Sequence, residues 1–203
     1  LTINPKDLVL LTSGQRTYGD ANSTIVYNDI ADKNGALTTA DSALLNSYQS
    51  NLKSAIGLDS AITERSHAGT YGTNGTTASP VLTYTNTQKD ATSAQLNGDY
   101  NITYEDLFTI NKRDLAVTQT GTKTYGTGAE HTTYDPITLT NITSWDKDAM
   151  TNGAHLTNTS DRTTVVGKYT NSLLTVDFAA QPVIANDYNI TATTTLNVIP
   201  DTF

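Results

Sequence analysis

Three histidines are the side chains best suited to acid–base or metal chemistry at neutral pH, and they are widely spaced. His67, His131 and His155 form no HExxH arrangement, whereas a metal site needs several ligands that converge on one point. His131 follows Glu130 in a stretch typical of a loop, which is a weak pair. We therefore expect all three imidazoles to lie on the surface.

Motifs for nucleophilic catalysis and phosphate binding are also missing. Ser13 and Ser60 stand outside any GxSxG elbow, so a serine hydrolase is unsupported. Residues 72–75, GTNG, indicate a flexible turn, because no GxGxxG or P-loop pattern surrounds them. Cysteine is absent, which excludes disulfides, thiolate zinc sites and a cysteine nucleophile. Without a convergent catalytic set, the sequence predicts a protein that is not an enzyme.

Recurring aspartates leave calcium as the one cofactor to weigh. Asp7 matches Asp114, and Asp99 matches Asp187, in two similar parts of the chain. Oxygen-rich junctions of this kind bind calcium in other proteins. However, no DxDxDG loop is present, and an Asp before a Tyr commonly makes a turn hydrogen bond. We favour the turn role and expect no cofactor, with calcium between modules as the open alternative.

The elements that must position these residues come in two copies. Ile110–Thr127, INKRDLAVTQTGTKTYGT, repeats Ile3–Asp20, INPKDLVLLTSGQRTYGD, at a constant offset of 107 residues. A second, weaker repeat relates Gly98–Asn111 to Asn186–Ile199. Repetition of this kind indicates tandem modules.

The repeat also fixes the expected module boundaries. We predict a first module at residues 1–111, with a strand-like lead-in at 1–5, and a second module at 112–203. The lead-in LTINP matches the ends of both modules, so we expect the chain to be a fragment of a longer protein. Lys112 and Arg113 form the predicted junction, and so short a junction should restrict any hinge.

Composition favours strands and an exported protein. Thr accounts for 39 of 203 residues, and β-branched side chains suit a pleated, half-exposed surface. Only 16% of residues are charged and the net charge is −8, which disfavours nucleic acid and anionic membranes as partners. No apolar run is long enough to span a bilayer. The lack of cysteine, with abundant Thr and Asn, is typical of exported bacterial surface proteins.

Local patterns predict short strands and one clear helix. Asp7–Leu11 is typical of a buried strand that Gly14 breaks, Thr17–Asp20 of a turn, and Ser23–Tyr27 of another strand. Helical spacing relates five apolar residues, with Thr39 or Asp41 as the cap and Gly57 as the end: Leu44, Leu45, Tyr48, Leu52 and Ile56. In the second module we expect a shorter helical segment around Trp145–Thr151.

Tyrosines and turn glycines recur in both modules, and we predict that they are structural: Tyr18, Gly19, Tyr71, Tyr100, Tyr125, Gly126, Tyr169 and Tyr188. An aromatic ring on a glycine turn could serve as a carbohydrate platform. Recurrence in each copy argues instead that Tyr18 and Tyr125 pack in the core with a bonded hydroxyl.

The succession TYGD, then AGTY or VGKY, then DYNIT, then LNVIP resembles the MBG repeats (YGX type) and their YDG relatives. Such repeats stand in tandem arrays in large bacterial surface and secreted adhesins, including filamentous-haemagglutinin-like proteins. The resemblance implies a mainly β, β-grasp-like module with one short helix over a curved sheet. An immunoglobulin-like sandwich is the alternative, because about seven short strands per module would also fit.

The resemblance also implies a function and a location. We expect a non-enzymatic stalk segment of an extracellular adhesin, at the bacterial surface or secreted, that acts in adhesion or biofilm formation. Its expected partners are neighbouring repeats of the same chain, and we expect a monomer that does not insert into membranes. The alternative is a ligand-binding module in which the loop at 72–79 and Thr, Asn and Tyr surfaces contact a glycan or a host surface protein.

Overall fold

The chain divides into two compact units, Leu1–Asn111 (unit 1) and Lys112–Phe203 (unit 2). The structure, a computed structural model, describes residues 2–77, 79–84, 96 and 98–202. Both units are mainly β. None of the helices in these ranges has the length and apolar character needed to cross a bilayer.

Unit 1 is built around two long strands that lie side by side. Its elements are β1 (Lys6–Thr17), β2 (Val26–Tyr27), β3 (Ala31–Asp32), α1 (Thr39–Ser54), β4 (Ile56–Leu58), β5 (Gly69–Tyr71), β6 (Leu82–Tyr84) and β7 (Tyr100–Asn111). The main sheet has the order β2-β1-β7-β5, and β3 also pairs with β1. The central strands β1 and β7 are parallel over twelve residue pairs, whereas the outer strands are antiparallel. The short strands β4 and β6 form a separate ribbon.

Unit 2 repeats this topology. Its elements are β8 (Arg113–Thr124), β9 (Thr133–Tyr134), β10 (Thr138–Thr140), α2 (Lys147–Gly153), β11 (His155–Asn158), β12 (Gly167–Thr170), β13 (Leu174–Asp177), α3 (Pro182–Ala185) and β14 (Tyr188–Ile199). The strands β8 and β14 form the parallel central pair, again over twelve residue pairs. β9 and β10 pair with β8, and β12 pairs with β14. β11 and β13 form the separate ribbon.

Strand periodicity decides what each central strand buries. Alternate residues of β1, from Leu8 to Arg16, face the interior, and β8 shows the same alternation from Leu115 to Lys123. In unit 1 this face packs against α1 through Leu45 and Leu52. The apolar stripe of α1 therefore covers the sheet, as expected of an amphipathic helix in a small domain.

The sequence pattern predicted that Gly14 breaks the first strand, and this prediction is wrong. β1 runs through this glycine, because Gly14 lies opposite Tyr27 in the ladder and the tyrosine ring covers it. A Cβ atom at Gly14 would lie 2.8 Å from Cδ1 of that ring. Gly121 and Tyr134 repeat the arrangement in unit 2, where the corresponding distance would be 3.0 Å. The glycine makes room for an aromatic side chain from the neighbouring strand.

The limits of α1 also differ from the predicted ones. The N-cap is Thr38, whose Oγ1 accepts a hydrogen bond from the Asp41 amide, while its hydroxyl donates to the Asp41 carboxylate. The predicted cap Asp41 is therefore the third helical residue, and it bonds to the true cap through both its amide and its carboxylate. The helix ends at Ser54, because Ile56 and Gly57 pair with β6 as part of β4.

Three further expectations need correction. Residues 22–24 form a 3-10 turn rather than the start of a strand, so only Val26 and Tyr27 of the predicted Ser23–Tyr27 strand pair with β1. The lead-in at 1–5 is not strand over residues 2–5, since β1 begins at Lys6, and Leu1 lies outside the described residues. The helix α2 begins at Lys147, slightly later than the segment predicted around Trp145–Thr151.

The repeated TYG motif forms the same turn in both units. The amide of Tyr18 donates to the Asn111 carbonyl at 2.8 Å, and that of Tyr125 donates to the Ile199 carbonyl at 2.8 Å. The following glycines, Gly19 and Gly126, have φ angles of 80° and 84°. The motif therefore leads the chain off the end of the first strand through a left-handed residue.

We predict that Gly126→Ala destabilises unit 2 by about 1–2 kcal/mol, because an L side chain is strained at this φ angle even though no atom lies near the new Cβ. Gly126→Asn should cost less, since Asn tolerates the left-handed region. Urea unfolding followed by the fluorescence of Trp145, the single tryptophan, reports on unit 2. Gly167→Ala, at a strand glycine with room for a methyl group, is the matched control. Equal costs at both positions would contradict the strain argument.

Candidate functional site

Two of the recurring tyrosines tie the start of a helix to the start of the last strand. In unit 1 the Tyr100 hydroxyl donates to the Asp41 carboxylate at 2.7 Å, and that oxygen also accepts from the Thr38 hydroxyl. The bonds to Asp41 raise the pKa of Tyr100 and lower that of Asp41. This cluster of hydroxyl, carboxylate and phenol acts as a clamp between two elements.

Unit 2 contains the same cluster in a buried form. The Tyr188 hydroxyl donates to Asp146 at 2.8 Å, and the Thr143 hydroxyl donates to the same carboxylate oxygen at 2.8 Å. Tyr188 is only 3% exposed. Burial, as the main cause, raises the pKa of Tyr188 from 10.0 to about 12. A cluster with these residue types could carry protons, but here both hydroxyls are bonded to one oxygen of Asp146.

A second pair of tyrosines closes a loop. The Tyr71 hydroxyl donates to the His67 carbonyl at 2.6 Å, and the Tyr169 hydroxyl donates to the Val165 carbonyl at 2.9 Å. In both units the bond spans four residues at the start of an outer strand. These hydroxyls therefore fix the approach to β5 and β12.

The third tyrosine pair differs between the units. Tyr18 is 2% exposed, whereas Tyr125 is 45% exposed. The prediction that both rings pack in the core is thus wrong for Tyr125. The turn motif determines the backbone path, which is the same at both places, but the atoms surrounding the turn determine burial.

Sequence reasoning missed a buried cation in each unit. Arg16 and Lys123 occupy equivalent inward-facing positions and are 4% and 2% exposed. Arg16 donates to the Thr63 carbonyl at 2.5 Å, and Lys123 donates to the carbonyls of Thr127, at 2.8 Å, and Asp161. Burial lowers the pKa of Arg16. Each cation therefore holds a loop against the central sheet through its carbonyl oxygens, which compensates part of the cost of burying the charge.

The carbonyl that accepts from each cation belongs to a turn of the same kind in both units. The Thr63 amide donates to Ser66 Oγ at 2.9 Å, and the Asp161 amide donates to Thr164 Oγ1 at 2.9 Å. Both turns stand eight residues before a loop-closing tyrosine, Tyr71 or Tyr169. Arginine and lysine thus perform one structural role at one place in the fold.

A buried carboxylate, Asp106, was also missed. It is 2% exposed and lies on the inward face of β7. Its Oδ1 accepts from the Thr73 amide at 2.9 Å, and its Oδ2 accepts from the amides of Val81 and Leu82 at 2.7 and 2.8 Å. Three backbone donors satisfy the charge, as expected for a buried carboxylate without a cation.

Asp106 also anchors the loop at 72–79, in which the sequence predicted a flexible turn at residues 72–75. In residues 72–77 the amides of Thr73 and Asn74 donate to Asp106, and a side-chain cluster fastens Asn74 further. Lys33 Nζ lies 2.5 Å from both Asn74 Oδ1 and Glu105 Oε2. The bond from Lys33, as the main cause, lowers the pKa of Glu105. The loop is therefore anchored to the sheet.

The histidines and recurring aspartates do not converge. His67, His131 and His155 are all exposed, and His155 pairs with Asp177 at 3.2 Å. Asp7 and Asp114 each accept from an asparagine of the adjacent strand. Among the described residues, no three His, Asp or Glu side chains gather where they could hold a metal ion.

The sequence also contains six N-x-S/T triplets, the pattern of an N-glycosylation site, and the asparagine of each is hydrogen-bonded. Each side-chain amide donates a hydrogen bond within its own unit; the residues are Asn22, Asn74, Asn101, Asn141, Asn158 and Asn189. A glycan on one of these nitrogens would remove at least part of its bonding. The amides therefore have a structural use that needs no modification.

Unit 1 contains an open cleft beside the turn whose Thr63 carbonyl accepts from Arg16. It has a volume of about 600 Å³ and lies between the 3-10 turn with β2 on one side and residues 58–65 on the other. Ile25, Tyr27, Leu58 and Ile62 form its apolar wall. Asp59, Ser60 and Glu64 stand along its polar rim.

The equivalent place in unit 2 is bridged by a side chain. Asn158 pairs with Leu174 as Leu58 pairs with Leu82, so Asn158 and Leu58 are counterparts. The Nδ2 atom of Asn158 donates to Thr132 Oγ1 at 2.9 Å and to the Tyr134 hydroxyl at 3.2 Å. Unit 1 has Ile25 and Tyr27 at the positions of Thr132 and Tyr134, and Leu58 makes no such bridge because its side chain has no hydrogen-bond donor.

Comparison of the chain with models of protein families, with curated proteins and with solved structures gives no match.

We predict that Asp106→Asn destabilises unit 1 by about 2–3 kcal/mol. The substitution places an NH2 group where an oxygen accepts backbone N–H groups, and an unsatisfied buried donor costs about 1–3 kcal/mol. Calorimetric unfolding of the whole chain measures the loss. Glu105→Gln is the matched control on the adjacent, more exposed residue, and it should cost less than about 1 kcal/mol. Similar costs for both variants would contradict the assignment of Asp106 as the loop anchor.

The raised pKa of Tyr188 predicts a specific alkaline instability of unit 2. Between pH 10.0 and about 12 the unfolded phenol loses its proton while the folded one keeps it. The stabilisation from this group is therefore complete below pH 10 and is lost as pH rises to 12. Tyr188→Phe should lower stability at neutral pH but flatten its further fall over this range.

Urea unfolding followed by Trp145 fluorescence, at a series of alkaline pH values, tests this dependence. Tyr125→Phe is the control, because it removes an exposed phenol of the same unit without touching the Tyr188 cluster. An unchanged slope in Tyr188→Phe would show that other groups cause the instability.

Proposed function

We propose that the chain is a non-enzymatic, load-bearing spacer segment of a bacterial surface or secreted adhesin. One observation carries the proposal: in each unit the first and last strands are parallel neighbours over twelve residue pairs. A pull along the chain enters unit 1 at Lys6 and leaves it at Asn111, at opposite ends of this pair. The strands must then slide past each other, so the ladder bonds share the load rather than break one by one.

The connection between the units supports the same role. β7 ends at Asn111 and β8 begins at Arg113, so Lys112 alone stands between two long central strands. A force that leaves the last strand of unit 1 passes through one residue into the first strand of unit 2. The chain thus carries load through its two best-paired elements in series.

We also propose that each unit is a β-grasp module related to the MBG and YDG repeats. The order β2-β1-β7-β5, with a parallel central pair and antiparallel outer strands, supports this assignment. The packing of α1 against β1 supports it further. An immunoglobulin-like sandwich would instead place its core between two antiparallel sheets. Membership of the repeat family, and with it the extracellular location, rests on the order of the sequence motifs.

The use of polar side chains also supports a structural role. The ionisable groups that could take part in chemistry are bonded to backbone atoms or to each other. They are the buried cations, Asp106 and the tyrosine–aspartate clusters. The buried cations and the tyrosine–aspartate clusters recur in both units at equivalent places. This is what two copies of a folding unit require, whereas a catalytic centre needs groups directed at a substrate.

Single-molecule stretching of the whole chain from its ends tests the proposal. We expect two unfolding steps that lengthen the chain by roughly 33 nm and 27 nm, the contour gains of the two units. Because the chain has no native cysteine, introduced cysteines provide unique handles. Pro5→Cys with Lys112→Cys shears the β1–β7 pair, whereas Pro5→Cys with Gly98→Cys peels it from one end.

We expect the shearing geometry to resist a several-fold higher force than the peeling geometry at the same pulling speed, since forced unfolding is governed by the rate of crossing the unfolding barrier. Equal forces in the two geometries would remove the physical basis of the load-bearing role.

A further inference from the structure

We propose that the open cleft of unit 1 binds a neutral saccharide. The observation behind it is the contrast between two copies of one module: the cleft is open in unit 1, whereas Asn158 spans the corresponding place in unit 2. The inference goes beyond the load-bearing role, because a spacer needs no such opening.

The shape and lining of the cleft match a ligand with one apolar face and a rim of hydroxyls. A volume of about 600 Å³ lies within the range of small-molecule sites. Ile25, Leu58 and Ile62 offer an apolar surface on one side. The ring of Tyr27 lies over the backbone of Gly14 and also lines the cleft. The C–H face of a sugar ring packs on such an aromatic surface, since its hydrogens are slightly positive and the ring face is slightly negative.

The polar rim offers mainly hydrogen-bond acceptors. Asp59 Oδ1 accepts from the Ala61 amide at 2.8 Å, and in the described residues its Oδ2 makes no further hydrogen bond. Asn22 donates its amide to the Ile62 carbonyl, which leaves its Oδ1 as an acceptor. The Glu64 carboxylate adds two more oxygens at the exposed edge. Acceptors in this number favour a ligand with many donors, which a polyol provides.

The charge of the rim selects against anionic ligands. Two carboxylates, Asp59 and Glu64, face the cleft with one guanidinium, Arg65, and the whole chain has a net charge of −8. A phosphate, sulfate or carboxylate ligand would meet net repulsion. Neutral sugars meet none, so we expect them to bind in preference to acidic sugars.

Titration of the whole, isotope-labelled chain by two-dimensional NMR tests the inference. The probes are D-glucose, D-galactose, D-mannose and N-acetyl-D-glucosamine, with N-acetylneuraminic acid as the charged comparison. We expect at least one neutral sugar to shift the amide signals of Ile25, Tyr27 and Ser60 saturably, with a dissociation constant of millimolar order for so small a ligand. The signals of Thr132 and Asn158 should stay in place.

Variants that exchange the two local arrangements give the decisive comparison. Ile25→Thr with Leu58→Asn transfers the bridge of unit 2 into unit 1 and should weaken binding at least tenfold. The reciprocal change, Thr132→Ile with Asn158→Leu, should leave binding at unit 1 unaltered. Glu64→Gln changes only an exposed carboxylate, so it should fold normally and still weaken binding several-fold. This single variant keeps the test valid if the double variant does not fold.

Three results would overturn the inference. The first is that none of the four neutral sugars shifts the signals of the cleft. The second is that N-acetylneuraminic acid binds more tightly than the neutral sugars. The third is that binding is unchanged in Glu64→Gln and in every folded variant that closes the cleft. The stretching experiment does not depend on the cleft, so failure here leaves the load-bearing role to be judged on its own measurement.

Discussion

Parallel pairing of the first and last strands is the constraint on which the rest of each unit depends. Parallel neighbours need a long crossover between them, so every other element of a unit lies in the chain between its two central strands. Placing that pair at the centre of a sheet also fixes alternate residues toward the interior. Any polar side chain on that face must then find a partner. Arg16, Lys123 and Asp106 lie at such positions, and each bonds to the backbone of a loop that the crossover provides.

Comparison of the two units shows that some anchoring bonds keep the same residue types, whereas others are made by different residues. A threonine, an aspartate and a tyrosine form the clamp at the helix start in both units. At another equivalent place, the donor and acceptor residues differ between the units. The Thr73 amide donates to Asp106 in unit 1, whereas the Thr194 amide donates to Asn171 Oδ1 in unit 2. The acceptor has moved from the last strand to the loop, and the loop is still held against the sheet.

The repeated letters were informative where they encode backbone geometry. The TYG motif predicted a turn because a glycine at positive φ follows the strand in both copies. The spacing of Leu45 and Leu52 likewise predicted the helix face that covers the sheet. Gly14 led to the wrong prediction of a strand break. Its partner Tyr27 is thirteen residues away, and no local pattern relates the two residues. Arg16 and Asp106 stand at alternate positions in step with the buried apolar residues of their strands. This alternation was the signal in the sequence that their charged side chains are buried. Parallel pairing itself has no signature within either strand, because it depends on residues almost a hundred positions apart.

The cleft lies away from the central strands of unit 1. None of the residues that line it belongs to β1 or β7, the pair to which we assign the load in the proposed spacer role. They belong instead to β2, β4 and the turns beside them, where the lack of a bridging side chain costs few ladder bonds. The Arg16 cation still bonds to the Thr63 carbonyl at the edge of this region. The turn therefore remains tied to the central strand while the residues before it are free to change. The central pair is held in common by both units, and the outer turns are where they differ, so the proposed load path and the proposed saccharide site use separate parts of the fold.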